Sequence, residues 1–180
     1  IQHMQLTRRS EPLTVFMPGE GVQIMRAFLD ALYLFDEVLP FKLELAPCED
    51  AAGRLRGDDL AVSSVPNAHM RCLAEVARHY GRDNRGESHS HVVTTRTGRI
   101  VLSGDVAYPS EIVSLLSEPT ALLVTELAHF GVEALRGILD CEHAPGRIVA
   151  TLIGPAIDTT VRDRLGEVLG EAAARVIVAE

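Results

Sequence analysis

No apolar run in this 180-residue chain approaches the ~20 residues needed to cross a bilayer, because Arg26, Asp30 and Asp36 interrupt the most apolar early stretch. That argues against a membrane-spanning helix. Cysteine is scarce: Cys48, Cys72 and Cys141 are odd in number and widely spaced, which fits neither a disulfide framework nor a CxxC metal knuckle. Their expected role is as small buried hydrophobes, and the expected setting is a reducing cytoplasm. Positive charge is also short. With 17 Lys and Arg against 25 Asp and Glu, the net charge is −8, which argues against a broad surface for nucleic-acid phosphates. The pairs Arg8-Arg9 and Arg82/Arg85 are the densest basic clusters and have the character of solvated surface. GxSxG, P-loop and Rossmann glycine patterns are missing, so those enzyme classes lose support. Ile1 to Arg9 carry neither an initiator Met nor a signal-peptide layout, and the chain is expected to begin inside a longer sequence.

What is present is the composition of one ordinary domain with a core, 47% hydrophobic and 23% charged, and a single domain over 1–180 is the expectation. Leu13 to Met17 is a short β-prone run closed by Pro18-Gly19. Between Glu20 and Phe35, Val22, Met25, Phe28, Leu29 and Leu32 then fall at helical spacing. Phe41 to Leu45 alternates as a half-buried strand does, and Asp59 to Val65 gives another strand beyond the turn at Gly53 to Gly57. A hairpin or meander is expected there. Arg71 to Tyr80 suits a short helix and Gly81 to Ser88 an exposed loop. His89 to Thr95 and Arg99 to Ser103 flank Thr97-Gly98 as a hairpin. Helix and strand then alternate: helices at Pro109 to Leu116, Val132 to Leu139 and Thr159 to Ala173, strands at Ala121 to Thr125, Arg147 to Leu152 and Arg175 to Val178. The sum is an α/β chain with a mixed sheet and covering helices.

Chemistry concentrates at strand ends. Gly104-Asp105 closes the strand Ile100 to Ser103, and a carboxylate on a sharp glycine turn is rigidly held at a sheet rim, where metal ligands converge. Taken alone, the dipeptide more often caps a helix or closes an Asx turn. His69 follows Val65-Pro66-Asn67-Ala68, and a loop imidazole there is a metal ligand or an ordinary surface group. His89 and His91 share one face of a strand but have no acidic or thiolate partner nearby in sequence, so packing or surface roles are favoured. In Thr125-Glu126-Leu127-Ala128-His129-Phe130, Glu126 can orient a ligand from behind, and His129 can bind a metal or shuttle a proton.

The order of these segments resembles the C-terminal part of metallo-β-lactamase-fold proteins of the ribonuclease Z-like branch. The stretch from Ile1 through Arg9, Pro12-Leu13 and Pro18-Gly19 is similar to the segment downstream of the HxHxDH motif in that family. Val65 to His69 resembles the strand and histidine supplying a later ligand. Ser103-Gly104-Asp105 resembles the SGD turn whose Asp bridges two metals, and Leu122 to Glu126 resembles the next strand, which ends in Glu. Arg147 to Pro155 resembles the last strand, with Leu152 where the family carries its final metal-binding histidine. The HxHxDH motif itself is absent.

The resemblance implies a partial αββα sandwich that lacks its N-terminal part, and a metal-dependent hydrolase cleaving an ester or phosphodiester through a metal-activated hydroxide. Asp105 would be catalytic and, with His69, a metal ligand; His129 is the candidate substitute ligand and Glu126 stands behind the metal. The implied cofactor is zinc, with manganese or iron as alternatives. An incomplete ligand set would make the chain alone a poor hydrolase. Two other readings stay open: a ribonuclease Z-type nuclease processing transfer RNA 3′ ends, which the acidic charge disfavours, and a degenerate, non-catalytic scaffold protein, which Leu152 favours. The expected partner is a small-molecule substrate, and an exposed apolar sheet face makes a homodimer the expected assembly.

Overall fold

The computed structural model describes residues 1–55, 57, 59–127, 129–151 and 161–179. The chain divides into two compact units, Ile1–Arg54 and Leu55–Glu180. Among the described residues, no helix is long and apolar enough to cross a membrane.

In the first unit, helix α1 (Gln2–Leu6) precedes strand β1 (Leu13–Met17), helix α2 (Val22–Ala31), strand β2 (Leu43–Pro47) and the single turn α3 (Ala51–Arg54). β1 and β2 pair in parallel, from Leu13 opposite Leu43 to Met17 opposite Pro47, with α2 in the crossover. Leu29, Leu34, Leu39, Phe41 and Leu43 form the unit's core, against which Met4, Val15 and Met25 pack. The Arg54 guanidinium donates to both carboxylate oxygens of Glu44, at 2.7 and 2.6 Å, and lies 5.5 Å from the Phe16 ring centroid. This pairing corrects the expected hairpin or meander between the second and third strands. Alternation identifies β2 as a strand but not its partner, and the apolar stripe of α2 gives β1 and β2 a helix to pack beneath in a β-α-β unit.

The second unit is built on a six-stranded sheet in sequential order: β3 (Leu60–Pro66), β4 (His89–Thr95), β5 (Gly98–Leu102), β6 (Leu122–Glu126), β7 (Arg147–Thr151) and β8 (Val176–Val178). β3, β4 and β5 are antiparallel neighbours, whereas β5 to β8 are parallel, so the sheet is mixed as the alternation predicts. Helix α4 (Arg71–His79) follows β3, α5 (Pro109–Leu115) follows β5, α6 (Glu133–Leu139) follows β6 and α7 (Val161–Leu169) follows β7. Ile112 and Leu115 of α5, Leu135 and Ile138 of α6, and Leu165 and Leu169 of α7 close over Val92, Val101, Leu123, Ile148 and Ala150 of the sheet. The alternate residues His91, Leu102, Val124, Val149 and Ile177 lie in register across the other face. Of these five, all but His91 are apolar, and all are half-buried except Ile177, which is exposed.

Leu123 is fully enclosed, whereas Leu73 on α4 is half exposed. Truncating Leu123 to Ala should therefore cost about 3 kcal/mol and Leu73→Ala well under 1 kcal/mol, read from urea midpoints at a common slope. Equal losses at the two sites would mean the core does not run through β6.

Candidate metal centre

Because β4 runs antiparallel between β3 and β5, the strands β3, β5 and β6 all point the same way, and their C-terminal ends share one rim of the sheet. In open sheets this rim is where ligands bind, because the loops leaving the strands converge there. His69 sits in the turn between β3 and α4, Asp105 in the loop after β5, and His129 in the segment between β6 and α6.

These three side chains meet. Each offers one ligand atom, and the three atoms lie within 4.8 Å of one another. His69 Nε2 is 3.6 Å from Asp105 Oδ2, and the His69 and His129 ring centroids are 4.8 Å apart with planes tilted by 48°. Nitrogen and oxygen ligands at ~2.1 Å from a tetrahedral zinc stand roughly 3.4 Å from each other. A closure of up to about 1.4 Å at the widest pair would bring this set onto an ion. Two imidazoles and a carboxylate are also a chemically sound donor set for zinc or iron(II).

Glu126, the last residue of β6, lies behind the cluster and is 2% exposed. Its Oε1 is fully buried and meets no hydrogen-bond partner at normal geometry; His129 Nε2 lies 3.5 Å away and the Asp105 carboxylate is a neighbour. Burial, reinforced by the hydrogen bond and negative charge of Asp105, pushes the Glu126 carboxyl up to about 8. A buried acid with an orphan oxygen aimed at two ligands is what a cation at this position would relieve.

No family model and no curated protein sequence matches the chain.

The loops are fixed by buried polar atoms. Gly104 adopts φ +57°, which turns the chain sharply before Asp105. A Cβ there would meet only the His89 carbonyl oxygen, at 3.6 Å, so the need for glycine is conformational rather than steric. Behind the turn, the Ser90 hydroxyl donates to the Ser103 carbonyl at 2.6 Å and the Ser103 and Thr125 hydroxyls share a bond of 2.9 Å. Asn67 Nδ2 donates to Ser90 Oγ at 3.2 Å, while Asn67 Oδ1 accepts from the His69 backbone N–H at 3.1 Å. Ser90, Ser103 and Thr125 are each at most 1% exposed.

His89 and His91 stay outside the metal-competent group. His91 Nδ1 pairs instead with Ser64 Oγ at 3.0 Å, and burial, with the neighbouring His89, holds its imidazole below the usual range. Leu152, placed by resemblance at the final ligand position, lies outside the described residues. A functional residue that the sequence does not single out is Glu111, whose carboxylate reaches backbone amides in two of the three loops. Its local signal is the Pro-x-Glu start of α5, which marks a helix N-terminus and nothing more.

Two measurements test this geometry. Gly104→Ala should cost about 1 kcal/mol because alanine is strained at this φ, and Gly104→Asn clearly less, by urea denaturation. An alanine variant as stable as the parent would mean the turn is not held. For Glu126, a folded-state value above the ordinary 4.5 means the folded chain keeps a proton that the unfolded chain releases. Stability of chelator-treated protein should therefore be highest below pH 4.5 as far as this group is concerned, and fall as pH rises from 4.5 to about 8. Glu126→Gln should flatten that fall, and a parent melting temperature that does not drop between pH 5 and 8.5 would contradict the assignment.

Proposed function

We propose that the Leu55–Glu180 unit is a metal-dependent hydrolase of the metallo-β-lactamase type, acting on a small ester or phosphodiester. In this reading the six-stranded mixed sheet with helices α5 to α7 on one face is one half of the αββα sandwich, and the first unit stands before it in the chain as the resemblance implies. The observation that carries the proposal is the convergence of His69, Asp105 and His129 at one sheet rim, with the buried Glu126 carboxyl behind them.

His69, Asp105 and His129 would hold the ion, three protein ligands being the usual complement where one position is left for water or substrate. A bound divalent ion supplies Lewis acidity at a carbonyl or phosphoryl oxygen and makes water nucleophilic near neutral pH. Glu126 lies against Asp105 and His129 and can hold a proton at neutral pH, so it is placed to exchange one with the Asp105 carboxylate. A cleft of about 320 Å³ opens beside His69, with Arg71, Glu75 and Tyr108 along its walls. That volume suits a small molecule, and its walls carry both signs of charge. The net charge of −8 weighs against a transfer RNA substrate.

The test is metal analysis of purified protein together with hydrolysis of bis(p-nitrophenyl) phosphate and p-nitrophenyl acetate after loading with zinc, manganese or iron(II). At least one stoichiometric metal is expected, with zinc or iron(II) preferred, and Asp105→Asn should lose at least about 100-fold in turnover. Protein that binds no metal under any of these conditions, or an Asp105→Asn variant as active as the parent, overturns the reading. Faster cleavage of a transfer RNA precursor than of the small phosphodiester would move the assignment to the nuclease branch.

A further inference from the structure

We infer that Glu111 is a positioning residue whose single carboxylate sets the separation of the two loops that carry His69 and Asp105. The inference rests on the metal-centre reading above, but the clamp itself can be observed without a metal.

The geometry is specific. Glu111 Oε1 accepts from the Ala68 N–H at 2.7 Å, one residue before His69. Oε2 accepts from the Ala107 N–H at 2.9 Å and the Tyr108 N–H at 3.1 Å, two and three residues after Asp105. Capping of α5 accounts for the bonds to Ala107 and Tyr108, because a glutamate at the third helical position commonly reaches back to the amides before the helix. It does not account for Ala68, which is 43 residues away in sequence on the loop leaving β3. β3 and β5 are not neighbours, since β4 lies between them, so no ladder hydrogen bond fixes one loop against the other. The carboxylate spans that gap.

The chemistry requires an ionised acid. A carboxylate offers two acceptor oxygens and no donor, which matches three amide donors arriving from two sides. The amide of glutamine has one acceptor and one donor end. It can cap the helix or hold the Ala68 amide, but at the other end an N–H would face an N–H. Glu111→Gln therefore separates the two roles: helix α5 keeps a competent cap, and the tie between the loops is lost. Glu111→Asp keeps the charge and is one methylene too short to serve both sides.

The test compares parent, Glu111→Gln and Glu111→Asp by cobalt(II) titration, followed by visible absorption, and by amide hydrogen exchange on metal-free protein. Groups that orient ligands from behind typically govern 10- to 100-fold in metal affinity. Both variants should bind cobalt about 10-fold or more weakly with an altered ligand-field spectrum, and in Glu111→Gln the Ala68 amide should lose protection while Ala107 and Tyr108 keep theirs. Unchanged cobalt affinity and spectrum in both variants overturns the positioning role. Loss of protection at Ala107 and Tyr108 with Ala68 unchanged also overturns it, leaving Glu111 as a helix cap only. If neither variant folds, the parent decides, since an Ala68 amide exchanging at the rate of a free loop is incompatible with the clamp. A parent that binds no cobalt while Ala68 loses protection in Glu111→Gln would reject the metal reading and leave the clamp standing.

Discussion

Polar atoms buried at one rim of a mixed sheet have no water to turn to, and in this protein their mutual satisfaction decides where the loops can go. The hydroxyls of Ser90, Ser103 and Thr125 and the amide of Asn67 form a line across β3, β4, β5 and β6, each group answering its neighbour. Thr151 on β7 continues it with a longer bond to the Thr125 carbonyl. The apolar core beneath, from Val101 and Leu123 to Ile138, supplies the driving force for folding, but it is indifferent to rotation of a loop by a few tens of degrees. Directionality comes from the hydrogen bonds above it, which fix the loops that carry the three candidate ligands.

The same rim concentrates an electrostatic conflict. Asp105 is partly exposed and Glu126 is enclosed, yet the two carboxyl groups are neighbours, so both can be charged only if something positive stands between or beside them. Among the described residues, the groups beside these carboxyls are the imidazoles of His69 and His129. An arrangement of this kind is costly for a purely structural corner, where an apolar side chain in place of Glu126 would serve packing better. It is ordinary for a site that binds a cation.

Much of the architecture could be read from the chain. The helical spacing of Val22, Met25 and Leu29, the Thr97-Gly98 turn and the alternation after Pro109 gave elements whose bounds moved by only a few residues. The partner of β2 was not legible: the alternation in Leu43 to Leu45 says that one face is buried, not which neighbour supplies the pairing. Gly104-Asp105 stood out because a glycine at a strand end marks a sharp change of direction, and the structure puts that glycine in the left-handed region. His129 could only be guessed at, since its approach to His69 depends on two loops 60 residues apart folding toward each other. Glu111 and Asn67 were invisible for a related reason. Their partners are backbone amides and a serine on other strands, and backbone amides leave no trace in a side-chain motif.

The interposed strand β4 gives the rim an uneven mechanics. Asp105 and His129 follow adjacent parallel strands, whereas His69 follows β3, at the edge of the six-stranded sheet, with β4 between. A cation shared by all three would act as a rivet between the edge strand β3 and the parallel strands β5 and β6, across the strand that separates them.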